Sequence, residues 1–266
     1  MCRDCGCSTV KHRLLSDFNT SHHHGPSLPT LTLPNNKRRI SVEESLFEKN
    51  QNLARKNRQW FKSQKLVVFN VMSSPGAGKT TLLCKLLPKL ALDHRLAVVV
   101  GDQETSIDAD RLKTAGVVAF QINTHSACHL DAKRVMDAVG QLGLDQLDWL
   151  VIENVGNLVC PAVFDLGENF RIAILSTTEG EEKPLKYPVL FSEADLIIIS
   201  KSDLLPHLDL NQTTLLANLR KMNPNAPIIT CSSKSGEGLE QLADELRYLA
   251  SGKETPDVSR YANTHT

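Results

Sequence analysis

Residues 66–81 read Leu-Val-Val-Phe-Asn-Val-Met-Ser-Ser-Pro-Gly-Ala-Gly-Lys-Thr-Thr, and this stretch decides how the 266-residue chain folds. An apolar run of strand length passes directly into a glycine-rich turn and then into a helix-forming segment. The turn, Ser73 to Thr80, is a Walker A loop with Ser73 in place of the usual first glycine. Gly76 and Gly78 let the backbone turn its N–H groups toward phosphate oxygens, with Ala77 between them. Lys79 is placed to neutralise the β- and γ-phosphates, Thr80 to offer its hydroxyl to Mg²⁺, and Gly76, Ala77, Gly78 and Thr81 complete the expected nucleotide-binding set. The helix N-terminus adds its positive dipole end.

Outward from this loop, short apolar runs alternate with helical stretches. The runs are 66–72, 96–100, 117–121, 149–153, 172–176, 196–200 and 227–231. Several are continuous and β-branched, as strands covered on both faces require. Helical stretches near 79–92, 129–142, 210–222 and 238–250 suit right-handed crossovers between parallel strands. The expectation is an α/β domain over 66–252, doubly wound on a mostly parallel sheet, binding its ligand beyond the carboxyl ends of the strands. No internal repeat is evident.

The flanks differ from this core. Residues 1–65 hold 12 Lys/Arg against 5 Asp/Glu, and the remainder holds 18 against 25, so a net charge of zero joins halves of +7 and −7. Residues 1–40 lack hydrophobic periodicity and include His22-His23-His24, which reads as a mobile tail. Ser41 and Glu44 suggest a capping box. Leu46/Phe47, Leu53/Ala54 and Trp60/Phe61 then predict one apolar face of a helix over 41–62, within a 41–65 segment. Residues 253–266 read as a second tail. No apolar run is long enough to span a bilayer and the start is no signal peptide. The balanced charge argues against nonspecific nucleic-acid binding. A cytoplasmic protein with no membrane insertion is expected.

Two acids follow strands at positions suited to metal and water chemistry. Asp102 lies after the second run and Glu153 ends the fourth, leading into Glu153-Asn154-Val155-Gly156. Either could hold Mg²⁺ together with Thr80 or orient the attacking water, and Gly156 could let backbone approach a γ-phosphate. Lys79, Asp102 and Glu153 are thus the candidate catalytic groups. Ser200-Lys201-Ser202-Asp203 resembles the guanine-reading N-K-x-D motif. Asp203 would accept from the guanine ring N–H and amine, Lys201 would cover one base face, and Ser200 in place of Asn predicts weaker bracing of the loop. Ser232-Ser233-Lys234 follows the last strand like the loop that contacts guanine O6. GTP over ATP is expected, because adenine leaves these groups mismatched.

The seven cysteines are unevenly spread. Cys2, Cys5 and Cys7 can close around one soft or borderline ion, and thiolates with the terminal amine suit Ni²⁺. Adjacent Cys128 and His129 precede a helix, and Cys160 lies four residues past Gly156. These make three ligands where a closed zinc site wants four, so a second chain or water must complete the set. Cys84 and Cys231 read as core residues.

Taken together, several motifs resemble the HypB family of hydrogenase nickel-incorporation GTPases. They are Cys-x-x-Cys-Gly-Cys at the start, Ser-Ser-Pro-Gly-Ala-Gly-Lys-Thr-Thr, Gly101-Asp102-Gln103, Cys128-His129-Leu130-Asp131-Ala132 and residues 153–161, Glu-Asn-Val-Gly-Asn-Leu-Val-Cys-Pro. The likeness spans the P-loop domain and the first seven residues. It implies a G domain of the SIMIBI type that hydrolyses GTP slowly, dimerises with GTP, and helps load nickel into NiFe hydrogenase. It also implies Ni²⁺ or Zn²⁺ at Cys128, His129 and Cys160 in the dimer interface, and a tighter nickel site at Cys2, Cys5 and Cys7. The partners it implies are a HypA-like zinc and nickel accessory protein, the hydrogenase large-subunit precursor and, in some systems, a histidine-rich prolyl isomerase. A nickel-delivery GTPase resembling the urease accessory protein, and a nickel store with a secondary nucleotide site, are the alternatives.

Overall fold

The computed structural model describes residues 36–102, 105–124, 127–143 and 147–252, with side chains from residue 45 onward. The proposed tail ligands Cys2, Cys5 and Cys7 and the His22–His24 run lie outside the described residues. Seven strands form one sheet: β1 Val67–Ser73, β2 Leu96–Asp102, β3 Val118–Asn123, β4 Trp149–Glu153, β5 Phe170–Ser176, β6 Leu196–Ser200 and β7 Ile228–Thr230. Their order is β3-β2-β4-β1-β5-β6-β7, and every pairing is parallel. All seven anticipated runs are strands, two with the same ends and five with ends shifted by at most two residues. The order reverses at β1, which lies between β4 and β5, so the crevice for a ligand opens where β1 and β4 end.

The helices are α1 Asn36–Ser63, α2 Lys79–Leu90, α3 Ile107–Thr114, α4 Ala132–Gln141, α5 Cys160–Val163, α6 Lys183–Lys186, α7 Pro188–Ser192, α8 Gln212–Met222 and α9 Leu239–Ala250. Side chains alternate across each strand, and both faces are apolar. Phe69, Val71, Val98, Val151 and Ile174 pack with Leu82, Leu86, Leu112 and Leu242 of α2, α3 and α9. On the opposite face Val68, Val99, Leu150 and Ile152 meet Phe61 of α1 and Val135 and Val139 of α4. Farther along that face Ala173, Leu175, Ile197 and Ile199 meet Phe191, Leu215 and Leu219 of α7 and α8. Covering on both faces explains why the strands read as continuous runs.

Two expectations for α1 need correcting. The helix starts at Asn36, so Ser41 lies inside it and is not its N-cap. Its buried stripe is Asn50, Ala54, Asn57 and Phe61, whereas Leu46 and Phe47 stay exposed. That spacing is one helical face, but two of its four members are amides. Asn50 donates to the Asp165 carbonyl (2.8 Å) and accepts from the Ala132 N–H (2.9 Å). Asn57 donates to the carbonyls of Ala132 (2.7 Å) and Leu166 (3.0 Å). The contact is tight enough to demand glycine at 167. That residue has φ 91°, and a Cβ there would stand 2.7 Å from the Ala54 carbonyl oxygen.

Candidate functional site: a nucleotide crevice beside a thiol–imidazole cluster

The P-loop leaves β1 and enters α2 through Gly78 at φ 96°. Within it the Lys79 ammonium donates to the Ser73 hydroxyl at 2.8 Å and is buried. Burial pushes Lys79 below its usual range, opposed by the charges of Glu153, Asp108 and Glu179. Thr80 donates its hydroxyl to Glu153 Oε1 at 2.6 Å. Glu153 is 3% exposed, and its Oε2 has no partner among the described residues. Burial pushes this carboxyl up to about 7, against the Thr80 hydrogen bond and the Lys79 charge. Desolvation wins because one short hydrogen bond and one lysine do not replace the water a carboxylate loses.

A buried hydroxyl and a carboxylate oxygen without a partner are the donor set that a hard divalent cation such as Mg²⁺ takes. Thr80 and Glu153 therefore fit that ion. Asp102 accepts from the Thr105 hydroxyl at 2.7 Å. Asp108 on α3, rather than Asp102, adds its charge at both Lys79 and Glu153. Arg111, one turn on, pairs with Asp108 at 3.3 Å and donates to Thr81 at 2.9 Å. Neither residue emerged from the sequence, because the short polar helix that carries them has no apolar stripe to mark it. Gly156 brings its backbone against the P-loop itself: a Cβ there would lie 3.0 Å from Pro75 Cα.

The loops expected to read the base meet the P-loop directly. Lys201, with φ 61°, reaches back to the Gly76 carbonyl at 2.7 Å. The Ser200 hydroxyl donates to the Ala77 carbonyl at 2.7 Å, so this serine supplies a brace of its own where weaker bracing was expected. Asp203 accepts a short hydrogen bond from Ser232, whose oxygen also accepts from the N–H groups of Lys234 and Ser235 at 3.1 Å. Ser232 is fully buried and Ser233 half-buried, whereas Lys234 is exposed. Lys201, Asp203 and the 232–234 loop thus form one wall joined to the P-loop.

Behind the crevice, the ligand atoms of Cys128, His129 and Cys160 lie within 4.8 Å of one another, and all three residues are buried. The sulfurs of Cys128 and Cys160 are 2.7 Å apart, and Cys128 Sγ is 3.5 Å from His129 Nδ1. Cys128 and His129 sit on the loop between β3 and α4, held by Asp131, which caps α4 by accepting from the Arg134 N–H at 2.8 Å. Cys160 opens α5, on the segment that begins at Glu153. The His129 ring stacks on Phe164 at 3.8 Å, and Phe164 meets Phe47 of α1 edge-on at 5.8 Å. Two soft thiols and an imidazole suit Zn²⁺ or Ni²⁺ and leave a coordination position open. The other two cysteines among the described residues lie elsewhere. Cys231 is core, its thiol pushed up to about 12 by burial, while Cys84 only half-buries against the core.

A sequence profile described as "CobW/HypB/UreG, nucleotide-binding domain" matches residues 67–230. The hydrogenase maturation factor HypB of Escherichia coli K12 is 49% identical over 205 residues, covering 77% of this chain and 71% of that protein. The Helicobacter pylori J99 protein named hydrogenase/urease maturation factor HypB is 41% identical over 214 residues, covering 79% and 88%. A crystal structure of HypB from Helicobacter pylori in complex with nickel superposes with a TM-score of 0.73 at 40% identity, covering 82% of this chain and 99% of that one.

Proposed function

Because the chain belongs to the CobW/HypB/UreG nucleotide-binding family, we propose that it is a GTP-hydrolysing nickel chaperone for NiFe hydrogenase maturation. The observation that carries this reading is the placement of Cys160 on the segment that begins at Glu153, in one buried cluster with Cys128 and His129. Relatives named hydrogenase maturation factor, and a related fold solved with nickel, support it.

Lys79 and the P-loop N–H groups bind the phosphates, and Asp203, Lys201 and the 232–234 loop read guanine. Thr80 and Glu153 hold Mg²⁺, which would offset phosphate charge. Glu153 or Asp108 then orients the attacking water, with Asp102 at the neighbouring strand end. Turnover is slow, as befits a switch. GTP favours a homodimer whose second copy completes the three-ligand set, and hydrolysis relaxes it so that Ni²⁺ passes on. The nickel comes from a HypA-like partner or the Cys2/Cys5/Cys7 tail and goes to the hydrogenase precursor. Nickel and GTP must then change each other's affinity by the same factor.

The test is coexpression with hydrogenase subunits. Lys79→Ala and Cys160→Ser should each leave the large subunit without nickel, while a chain that only stores the metal keeps its role when Lys79 is replaced. The H. pylori relative's name includes urease. Nickel content of coexpressed urease, measured alongside, separates delivery to that enzyme.

A further inference from the structure

The geometry points to Asn154 as the positioning residue that carries the state of the nucleotide site to the metal ligands, through the backbone amide of Leu130. This deepens the reading above and rests on its claim that metal and nucleotide binding are coupled.

Asn154 follows Glu153 directly, is 1% exposed, and has its own N–H bound to the Val71 carbonyl of β1 at 3.0 Å. Its side-chain oxygen accepts from the Leu130 N–H at 3.3 Å and from the Val155 N–H at 2.9 Å. The neighbours dictate this orientation. Glu168 accepts from the Leu166 N–H at Oε2 (2.7 Å) and from Arg171 Nε at Oε1 (2.8 Å), so Oε1 faces Asn70 as an acceptor. Asn70, wholly buried in β1, must therefore turn its NH₂ toward Glu168 at 3.3 Å. Its oxygen then faces Asn154 and accepts from that NH₂ at 3.2 Å. Asn154 is left with only its oxygen to present to Leu130.

Leu130 is the residue after His129 and is fully buried. Its side chain fills the space over Gly101, where a Cβ would stand 2.7 Å away, so the same residue touches the end of β2 next to Asp102. Asn157, on the Asn154 segment, donates to the Cys128 carbonyl at 3.4 Å. The loop bearing Cys128 and His129 is thus held from both acid-bearing strand ends. When Glu153 exchanges Thr80 for another partner, Asn154 moves with it. A buried N–H is costly to leave without an acceptor, so Leu130 and the two ligands before it follow.

The test uses the full chain with Cys2, Cys5 and Cys7 replaced by Ser, so that Ni²⁺ reports only the inner site. Its Ni²⁺ dissociation constant is measured by chelator competition with GDP and with a non-hydrolysable GTP analogue. The parent should show a ratio of at least about fivefold, the low end of ordinary allosteric coupling. Asn154→Ala should bring the ratio to within about twofold of unity. Asn70→Ala, which removes the side chain that orients Asn154 and no proposed nucleotide or metal ligand, should give an intermediate ratio, and it decides the matter if Asn154→Ala fails to melt cooperatively. A folded variant that weakens Ni²⁺ equally in both nucleotide states, leaving the ratio intact, overturns the assignment. A parent with no ratio overturns the coupling itself.

Discussion

Replacing Glu153 by Gln should make the protein more stable at pH 8 and inactive at the same time. Glu153 has its folded value pushed up to about 7 by burial, against about 4.5 when solvated. Below 4.5 folded and unfolded chains both hold the proton, and the fold keeps its full stability. Between 4.5 and 7 the unfolded chain loses it and the folded chain retains it, so stability falls by about 1.4 kcal/mol per pH unit. Above 7 the loss levels off at about 3 kcal/mol. Glutamine has the shape of the protonated acid, keeps an oxygen for Thr80, and does not titrate. The variant should match wild type near pH 4.5–5 and exceed it by about 3 kcal/mol at pH 8, roughly 6–12 °C in melting temperature for a domain of this size. Thermal melts of the nucleotide- and Mg²⁺-free proteins across pH 4.5–8.5 measure the difference, and GTP turnover is followed alongside. Parallel pH profiles for the two proteins would refute the argument, because they would mean that Glu153 is solvated in the folded state.

Three other changes probe separate parts of the site. Asp203→Asn puts a donor where guanine needs an acceptor and removes two charge-assisted hydrogen bonds of roughly 1.5–3 kcal/mol each. Competition binding should show the GTP over ATP preference falling by on the order of a hundredfold or more, with xanthosine triphosphate gaining. Ser200→Ala removes the hydroxyl that braces Ala77. The loss of about 1 kcal/mol should weaken GDP and GTP about fivefold by titration calorimetry. Gly167→Ala combines a positive φ with a Cβ driven into the α1 backbone. It should cost roughly 2–3 kcal/mol in urea unfolding, where a freely tolerated change would give none.

The sheet was legible because its strands are buried on both faces, which leaves β-branched runs such as 196–200 with few polar interruptions. The P-loop was legible because only glycine at 76 and 78 permits those backbone angles. What escaped were features whose meaning depends on partners distant in sequence. Asn50 and Asn57 read as the polar side of α1, and only their bonds to Ala132, 75 to 82 residues away, place them inside. Asn70 sits inside the apolar run 66–72 without a sequence signal for its role, since its partners Asn154 and Glu168 are 84 and 98 residues distant. Helix α3 escaped because only Ala109 and Leu112 of its eight residues are buried, too few to set up a period. Cys128, His129 and Cys160 were singled out as candidate metal ligands by type and adjacency. That they share one buried cluster came from two crossovers that the sequence does not display.

The grip of α1 on Ala132 bears on how the chain can be cut. A truncation before β1, drawn where the P-loop pattern starts, would look harmless to the inner site because it keeps the P-loop and all of Cys128, His129 and Cys160. It would nevertheless strip the Ala132 N–H of its acceptor and the Ala132, Asp165 and Leu166 carbonyls of their donors. Two of the orphaned groups lie where α4 begins, three residues beyond His129, and the other two follow α5, which opens with Cys160. A minimal fragment made that way would hydrate or rearrange this seam, and metal affinities measured on it would describe a different molecule. The smallest faithful unit therefore begins upstream of Asn50.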